Sequence, residues 1–137
     1  MLGKRKTRKN AFELLFGYQF NKEESASDYY IISYDNFVCE DDENESVKSL
    51  FLGICDNIKE IDEKISQHLS GWKLERLSKA TLTILRISTY EMLYTELAPA
   101  ISINEAVEFA KQYAEDGAPA FINGVLNNIS KGIKDNA

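Results

Sequence analysis

Apolar side chains between Leu77 and Tyr94 fall on nearly every side of a helix. At about 100° per residue, Leu77, Ala80, Leu82, Ile84, Leu85, Ile87, Tyr90, Met92 and Leu93 cover most of the circumference, leaving one polar strip through Lys79 and Arg86. A helix apolar on several sides needs several neighbours, so this segment is expected to be the central helix around which the others pack. Ser46 to Ser70 has a different pattern. Val47, Leu50, Phe51, Ile54, Ile58, Ile61, Ile65 and Leu69 recur at steps of three and four and predict one long amphipathic helix with a single buried face, exposing Lys59, Glu60, Glu63 and Lys64. Gly71 interrupts it, and Trp72 beside the helix end is expected to pack over the core with its N–H bonded to a free carbonyl.

Three further segments complete an all-α reading. Ala11, Leu14, Leu15 and Tyr18 mark a first helix reaching back to about Arg5. Ser102-Ile-Asn-Glu105 has the form of a capping box and predicts a helix with Ile103, Ala106, Val107, Ala110 and Ala114 inward. Pro119 suits the start of a last helix through about Ile133, with Ile122, Val125, Leu126, Ile129 and Ile133 inward and Phe121 at the stripe's edge. Tyr29 to Tyr34 fits either a second helix or a short strand, and the acidic run Cys39 to Glu45 reads as a solvated loop entering the next helix. A single helical domain over residues 1–137 is expected, with halves of about 4–70 and 71–134.

Charge changes this picture by its distribution. The net value of -6 hides nine acidic residues and no Lys or Arg between Glu23 and Glu45, outside which 16 basic face 13 acidic side chains. An acidic chain therefore retains basic surface, since attraction is decided within a Debye length of about 8 to 10 Å. Residues 4–9, Lys-Arg-Lys-Thr-Arg-Lys, carry five positive charges, and on a helix Arg5, Lys9, Phe12 and Phe16 fall on one line. Cations alternating with rings suit single-stranded RNA, whose phosphates meet the charges while bases stack on the aromatics. The competing reading is a solvated basic tail followed by core phenylalanines. Phe121, in a first turn whose unpaired amides can hold phosphate oxygens, is a second candidate.

Enzyme chemistry finds no support. There is no Gly-rich phosphate loop, no Cys/His ligand set for a metal, and no cofactor motif; the one histidine, His68, lies near a helix end and has no triad to join. Glu75 and Glu91 read as solvated or paired carboxylates. Arg86, within the apolar central helix, is expected to be paired, with Glu91 and Glu108 as candidates. Cys39 and Cys55 lack CxxC spacing and fit reduced, inert thiols. Without a signal-peptide core or about 18 consecutive apolar residues, the chain is expected to be soluble and cytoplasmic, with no membrane partner.

The assembled residues resemble the NusB family of transcription antitermination factors. The resemblance is carried in order by Arg8-Lys9-Asn10-Ala11 with Leu15-Phe16 and Gln19, Gly53 with Asn57, Ile61-Asp62 and Ile65, Trp72-Lys-Leu-Glu-Arg-Leu-Ser78, Ile84-Leu-Arg-Ile87 with Tyr90-Glu91, Ile103-Asn-Glu-Ala-Val-Glu108 with Ala110-Lys111, and Phe121-Ile-Asn-Gly-Val-Leu126. It implies two packed three-helix bundles and binding of boxA in nascent ribosomal RNA leader transcripts together with the ribosomal protein NusE, with other Nus factors and RNA polymerase as indirect partners. Carried over by position, RNA contacts would come from Lys4, Arg5, Lys6, Arg8, Lys9, Phe16, Tyr113 and Phe121. Two departures stand out: Thr81-Leu82-Thr83 replaces an acidic then a basic residue, and Ala120 replaces a basic one. A helical protein-interaction module with little RNA affinity is the alternative.

Overall fold

The computed structural model describes residues 5–21, 23–34 and 41–135. The described residues form seven α-helices and no strand: α1 (Arg5–Tyr18), α2 (Ala26–Tyr34), α3 (Asp41–Asp56), α4 (Ile58–Ser66), α5 (Lys79–Tyr94), α6 (Pro99–Tyr113) and α7 (Ala118–Asp135), with a 3₁₀ turn at Leu74–Arg76. The ambiguous Tyr29 to Tyr34 segment is thus helical, and α1 does reach back to Arg5. No described helix is long and apolar enough to cross a membrane.

The chain divides into two compact units at Asp56/Asn57. The long helix expected over Ser46 to Ser70 is broken there into α3 and α4, with Asn57 at φ −113° and ψ 18°, in the sparsely used bridge region outside helical geometry. Both pieces keep the same apolar spacing, so periodicity alone runs across the break unnoticed. The acidic run is also corrected, because α3 begins at Asp41, earlier than a loop through Glu45 would allow. Early carboxylates there favour the positive helix end, which is why a run that reads as loop composition starts a helix instead. Cys39 and Glu40 lie outside the described residues.

In the first unit α1, α2 and α3 pack on one another. Ala11, Leu14 and Leu15 of α1 are buried with Val47, Leu50, Phe51 and Ile54 of α3. Phe51 sits under a ring cluster, with centroids of Tyr18, Tyr29 and Tyr30 at 5.8, 6.3 and 6.3 Å. Gly17 eases this approach: a Cβ there would meet the Tyr29 hydroxyl, and that side chain would have to move aside.

In the second unit α5 contacts α4, α6 and α7, the several neighbours its all-round apolarity requires. Leu85 is fully buried on it, facing a core that includes Ile61, Ile65, Ile122, Leu126 and Ile129. Ser78 caps α5, its hydroxyl accepting from the Thr81 N–H at 3.1 Å. The capping box does not form: α6 starts at Pro99, in the first-turn position where a missing N–H costs nothing, and Ser102 is already inside the helix. Ser102 is instead buried against α5, within 2.7 Å of Ser88 Oγ and 2.9 Å of the buried Glu91 carboxyl.

Arg86 is paired as expected, but with Asp62 of α4 rather than with Glu91 or Glu108. Its Nε and Nη2 donate to the two carboxylate oxygens at 2.8 Å each, a bidentate fork. Glu108 meets Lys111 at 3.1 Å on the surface. The pair is mostly shielded from solvent, so Arg86→Met should cost about 1 to 3 kcal/mol in urea unfolding by stranding Asp62, while RNA affinity stays unchanged. Normal unfolding with lost RNA binding would place Arg86 in the binding site.

Candidate nucleic-acid interface

α1 presents the first candidate surface. Arg5, Lys6 and Lys9 are exposed, Phe16 is half-buried, and Phe20 just beyond the helix is 64% exposed. The rings form a ladder at four-residue spacing: Phe12 and Phe16 stack at 5.7 Å, and Phe16 meets Phe20 edge-on at 5.4 Å. One residue of the expected line, Phe12, and one further cation of the basic segment, Arg8, lie inward. Arg8 is only 5% exposed and Phe12 is buried, because positions 7, 8, 11, 12 and 15 make the core-facing side of α1 at steps of three and four. Arg8 is therefore a buried cation in this structure, not part of the exposed basic face. Lys4 lies outside the described residues. Phe20, which the sequence reading passed over, extends the ladder by one more turn of spacing.

The second candidate surface belongs to the second unit, at the α6–α7 turn. Phe121 is half-buried in the first turn of α7, as its edge position predicts, and its N–H reaches the Gly117 carbonyl at 3.2 Å. Tyr113, at the end of α6, is exposed and has its ring centroid 4.5 Å from that of Phe109. Phe121 borders a cleft of about 320 Å³ whose other walls include Trp72, Arg76, Thr81 and Glu115. A neighbouring cleft of about 370 Å³ is walled by Trp72 and Arg76 again, together with Lys73.

Trp72 corrects an expectation. It is 60% exposed rather than folded over the core. Ser70 and Gly71 precede it with φ of 51° and 91°, two successive left-handed residues that turn the chain outward after Leu69. The glycine was a visible signal of the turn; its outward direction, dependent on Ser70 as well, was not.

Glu115 was also missed as a site residue. Its Oε1 accepts from Ser78 Oγ at 2.9 Å and from Thr81 Oγ1 at 3.2 Å, and Oε2 lies 3.3 Å from the same threonine hydroxyl. A hydrogen bond from its own backbone amide, supported by the Ser78 and Thr81 hydroxyls, holds the carboxyl below the usual glutamate range against the upward push of burial. It stands ionised at neutral pH, fixed by partners 34 and 37 residues away, a spacing no local pattern reveals.

Comparison with known proteins places this architecture. The NusB family model matches residues 5–131. The transcription antitermination protein NusB of Clostridium novyi is 44% identical over 137 residues, covering 95% of this chain and 99% of that protein. The corresponding protein of Enterococcus faecalis is 36% identical, covering 99% and 94%. Among solved structures, T. maritima NusB superposes with a TM-score of 0.84 at 32% identity, covering 93% of this chain and 89% of that one. The structure of antitermination factors NusB and NusE in complex with dsRNA gives a TM-score of 0.79 at 28% identity, with coverage of 92% and 94%. With helices, sequence and relatives agreeing along almost its whole length, the chain belongs to the NusB family.

Proposed function

We propose that this NusB-family antitermination factor, which binds RNA and works with NusE, recognises boxA of nascent ribosomal RNA leader transcripts in the bacterial cytoplasm, joining other Nus factors and RNA polymerase through that complex. The observation that carries the reading is the α1 surface, which exposes Arg5, Lys6 and Lys9 toward its start and carries the Phe16 ring toward its end, with the Phe20 ring just beyond it. Phosphates meet the cations, and unstacked bases have rings to lie on. Tyr113 and Phe121 offer a second aromatic surface in the other unit. The role is that of a binding scaffold: the rings and charges are presented from helices, which hold them more rigidly than loops would.

A protein-interaction module with little RNA affinity is the competing reading, favoured by the exposed Ile31 and Ile32 of α2. Titration of a labelled boxA-like RNA against a scrambled control, with and without NusE, separates the two. Preferential binding of the boxA-like RNA, strengthened by NusE, supports the proposal; equal weak binding of both RNAs alongside tight NusE binding supports the competitor.

Phe121 gives a residue-level test. Phe121→Ala should lower RNA affinity by roughly tenfold to a hundredfold, since a stacked base is worth about 1 to 3 kcal/mol, while the thermal midpoint stays close to wild type. Early melting with normal RNA binding at low temperature would return Phe121 to the core.

A further inference from the structure

The two clefts that share Trp72 and Arg76 differ in chemistry. One brings together the Trp72 and Phe121 rings with the anchored Glu115 carboxylate, a second carboxylate at Asp116, and Arg76; the other adds Lys73 to Arg76 with no acid in its wall. An ionised carboxylate is an unusual lining for a nucleic-acid surface, because it repels phosphate. Its use there is to accept from N–H donors on a base edge. Guanine alone among the four RNA bases presents two adjacent donors on its Watson–Crick edge, N1–H and the N2 amine, matching the two oxygens of a carboxylate. Adenine and cytosine set a ring acceptor beside their amine, which a carboxylate repels, and uracil flanks its single N–H with carbonyl oxygens.

Resting on the RNA-binding reading above, we propose that the paired clefts hold one unstacked guanosine nucleotide of single-stranded RNA. Its base lies against the Trp72 and Phe121 rings and donates to Glu115, and its phosphate meets Lys73 and Arg76. Glu115 is then a specificity-determining residue. The Ser78 and Thr81 hydroxyls occupy only part of its accepting capacity, since a carboxylate has about four lone-pair sites. An arginine side chain from a protein would also satisfy Glu115 and the rings, with Asp116 adding to its attraction, but it would leave Lys73 and Arg76 of the second cleft without an anion. A nucleotide satisfies both clefts at once.

Trp72 is the only tryptophan in the chain, so its fluorescence reports on this site directly. The test titrates the full-length protein with uridine-rich single-stranded RNA containing one guanosine, and with the same RNA carrying inosine, which lacks only the N2 amine, or adenosine. Trp72 emission and the anisotropy of labelled RNA are followed together. The expected result is quenching by the guanosine RNA with about tenfold tighter binding than its inosine counterpart, the loss of one charge-assisted hydrogen bond. Glu115→Gln, which sets an amide donor where one of the two accepting oxygens stood, should bring that ratio to about one. Equal binding of the three RNAs, an undiminished ratio in Glu115→Gln, or RNA binding that leaves Trp72 emission unchanged would overturn the guanosine site while leaving the RNA-binding reading intact. Absence of anisotropy change with these RNAs and with boxA-like RNA would remove that reading and this one with it. Stronger, Glu115-dependent quenching by an arginine-rich peptide would overturn the proposal in favour of a protein partner. The inosine comparison uses the unaltered protein, so it stands whatever the variant's stability.

Discussion

Leu85→Ala should lower the unfolding free energy by about 3 to 5 kcal/mol. Leu85 is fully buried on α5, and α5 is the helix that α4, α6 and α7 all touch, so the cavity opens where several helices meet. A site bounded by several rigid elements cannot collapse to refill itself, which puts the cost toward the upper part of the usual range. Against a typical total of about 5 to 15 kcal/mol, such a loss is a large fraction of what holds a domain folded. Chemical denaturation checks it, with exposed Gln112→Ala, expected within about 0.5 kcal/mol of wild type, as the control. A loss under about 1 kcal/mol would mean that α5 is not the packing centre of its unit.

The second large effect concerns RNA. Replacing Arg5, Lys6 and Lys9 together by alanine should flatten the dependence of log K on log salt by about two, at about 0.7 per phosphate contact on a single strand, and weaken binding roughly a hundredfold near 0.1 M salt. Alanine is the best helix former and these three side chains are exposed, so the circular dichroism of α1 should be preserved. Arg8→Ala should behave in the opposite way, lowering stability with little change in slope, because Arg8 is buried. If the triple variant kept the wild-type slope, the phosphate contacts would have to lie elsewhere on the molecule.

These two expectations mark what could be read from the chain and what could not. Helix identity was written in spacing, and most buried positions followed: Leu14, Leu50, Ile54, Ile61, Leu85 and Leu126 all sit where their stripes put them. Spacing failed where a single backbone residue decides. The stripe passes through Asn57 without a fault, yet its non-helical dihedrals end α3 and begin α4. It failed again at Ser102, where the pattern of a capping box coincided with a serine that Ser88 and Glu91 hold in the interior. Of the candidate site, the exposure of Arg5, Lys6 and Lys9 and the positions of Phe16 and Phe121 on their helices follow from the helical period, whereas Tyr113 comes only with the family resemblance. Arg8 was misplaced because its charge outweighed its position in the reading, although it lies three and four residues from Ala11 and Phe12. The exposure of Trp72, the anchoring of Glu115 and the choice of Asp62 as partner of Arg86 depend on tertiary neighbours and left no local mark.

The polar cluster between α5 and α6 has a consequence for how uniquely these helices align. Ser88 can donate to Ser102, and Ser102 in turn to the Glu91 carboxyl, a relay whose three residues are all buried. The rest of the seam, with Ile103, Ala106 and Ala110 on α6, offers similar shapes at successive turns. An apolar seam of this kind tolerates a slip of one helical turn, about 5.4 Å, at modest cost. With the relay present, the same slip would carry Ser102 away from the Glu91 carboxyl, and losing that buried charge-assisted bond costs about 1.5 to 3 kcal/mol. Three small polar groups thereby turn a sliding contact into a keyed one: they choose among alignments rather than strengthen the chosen one.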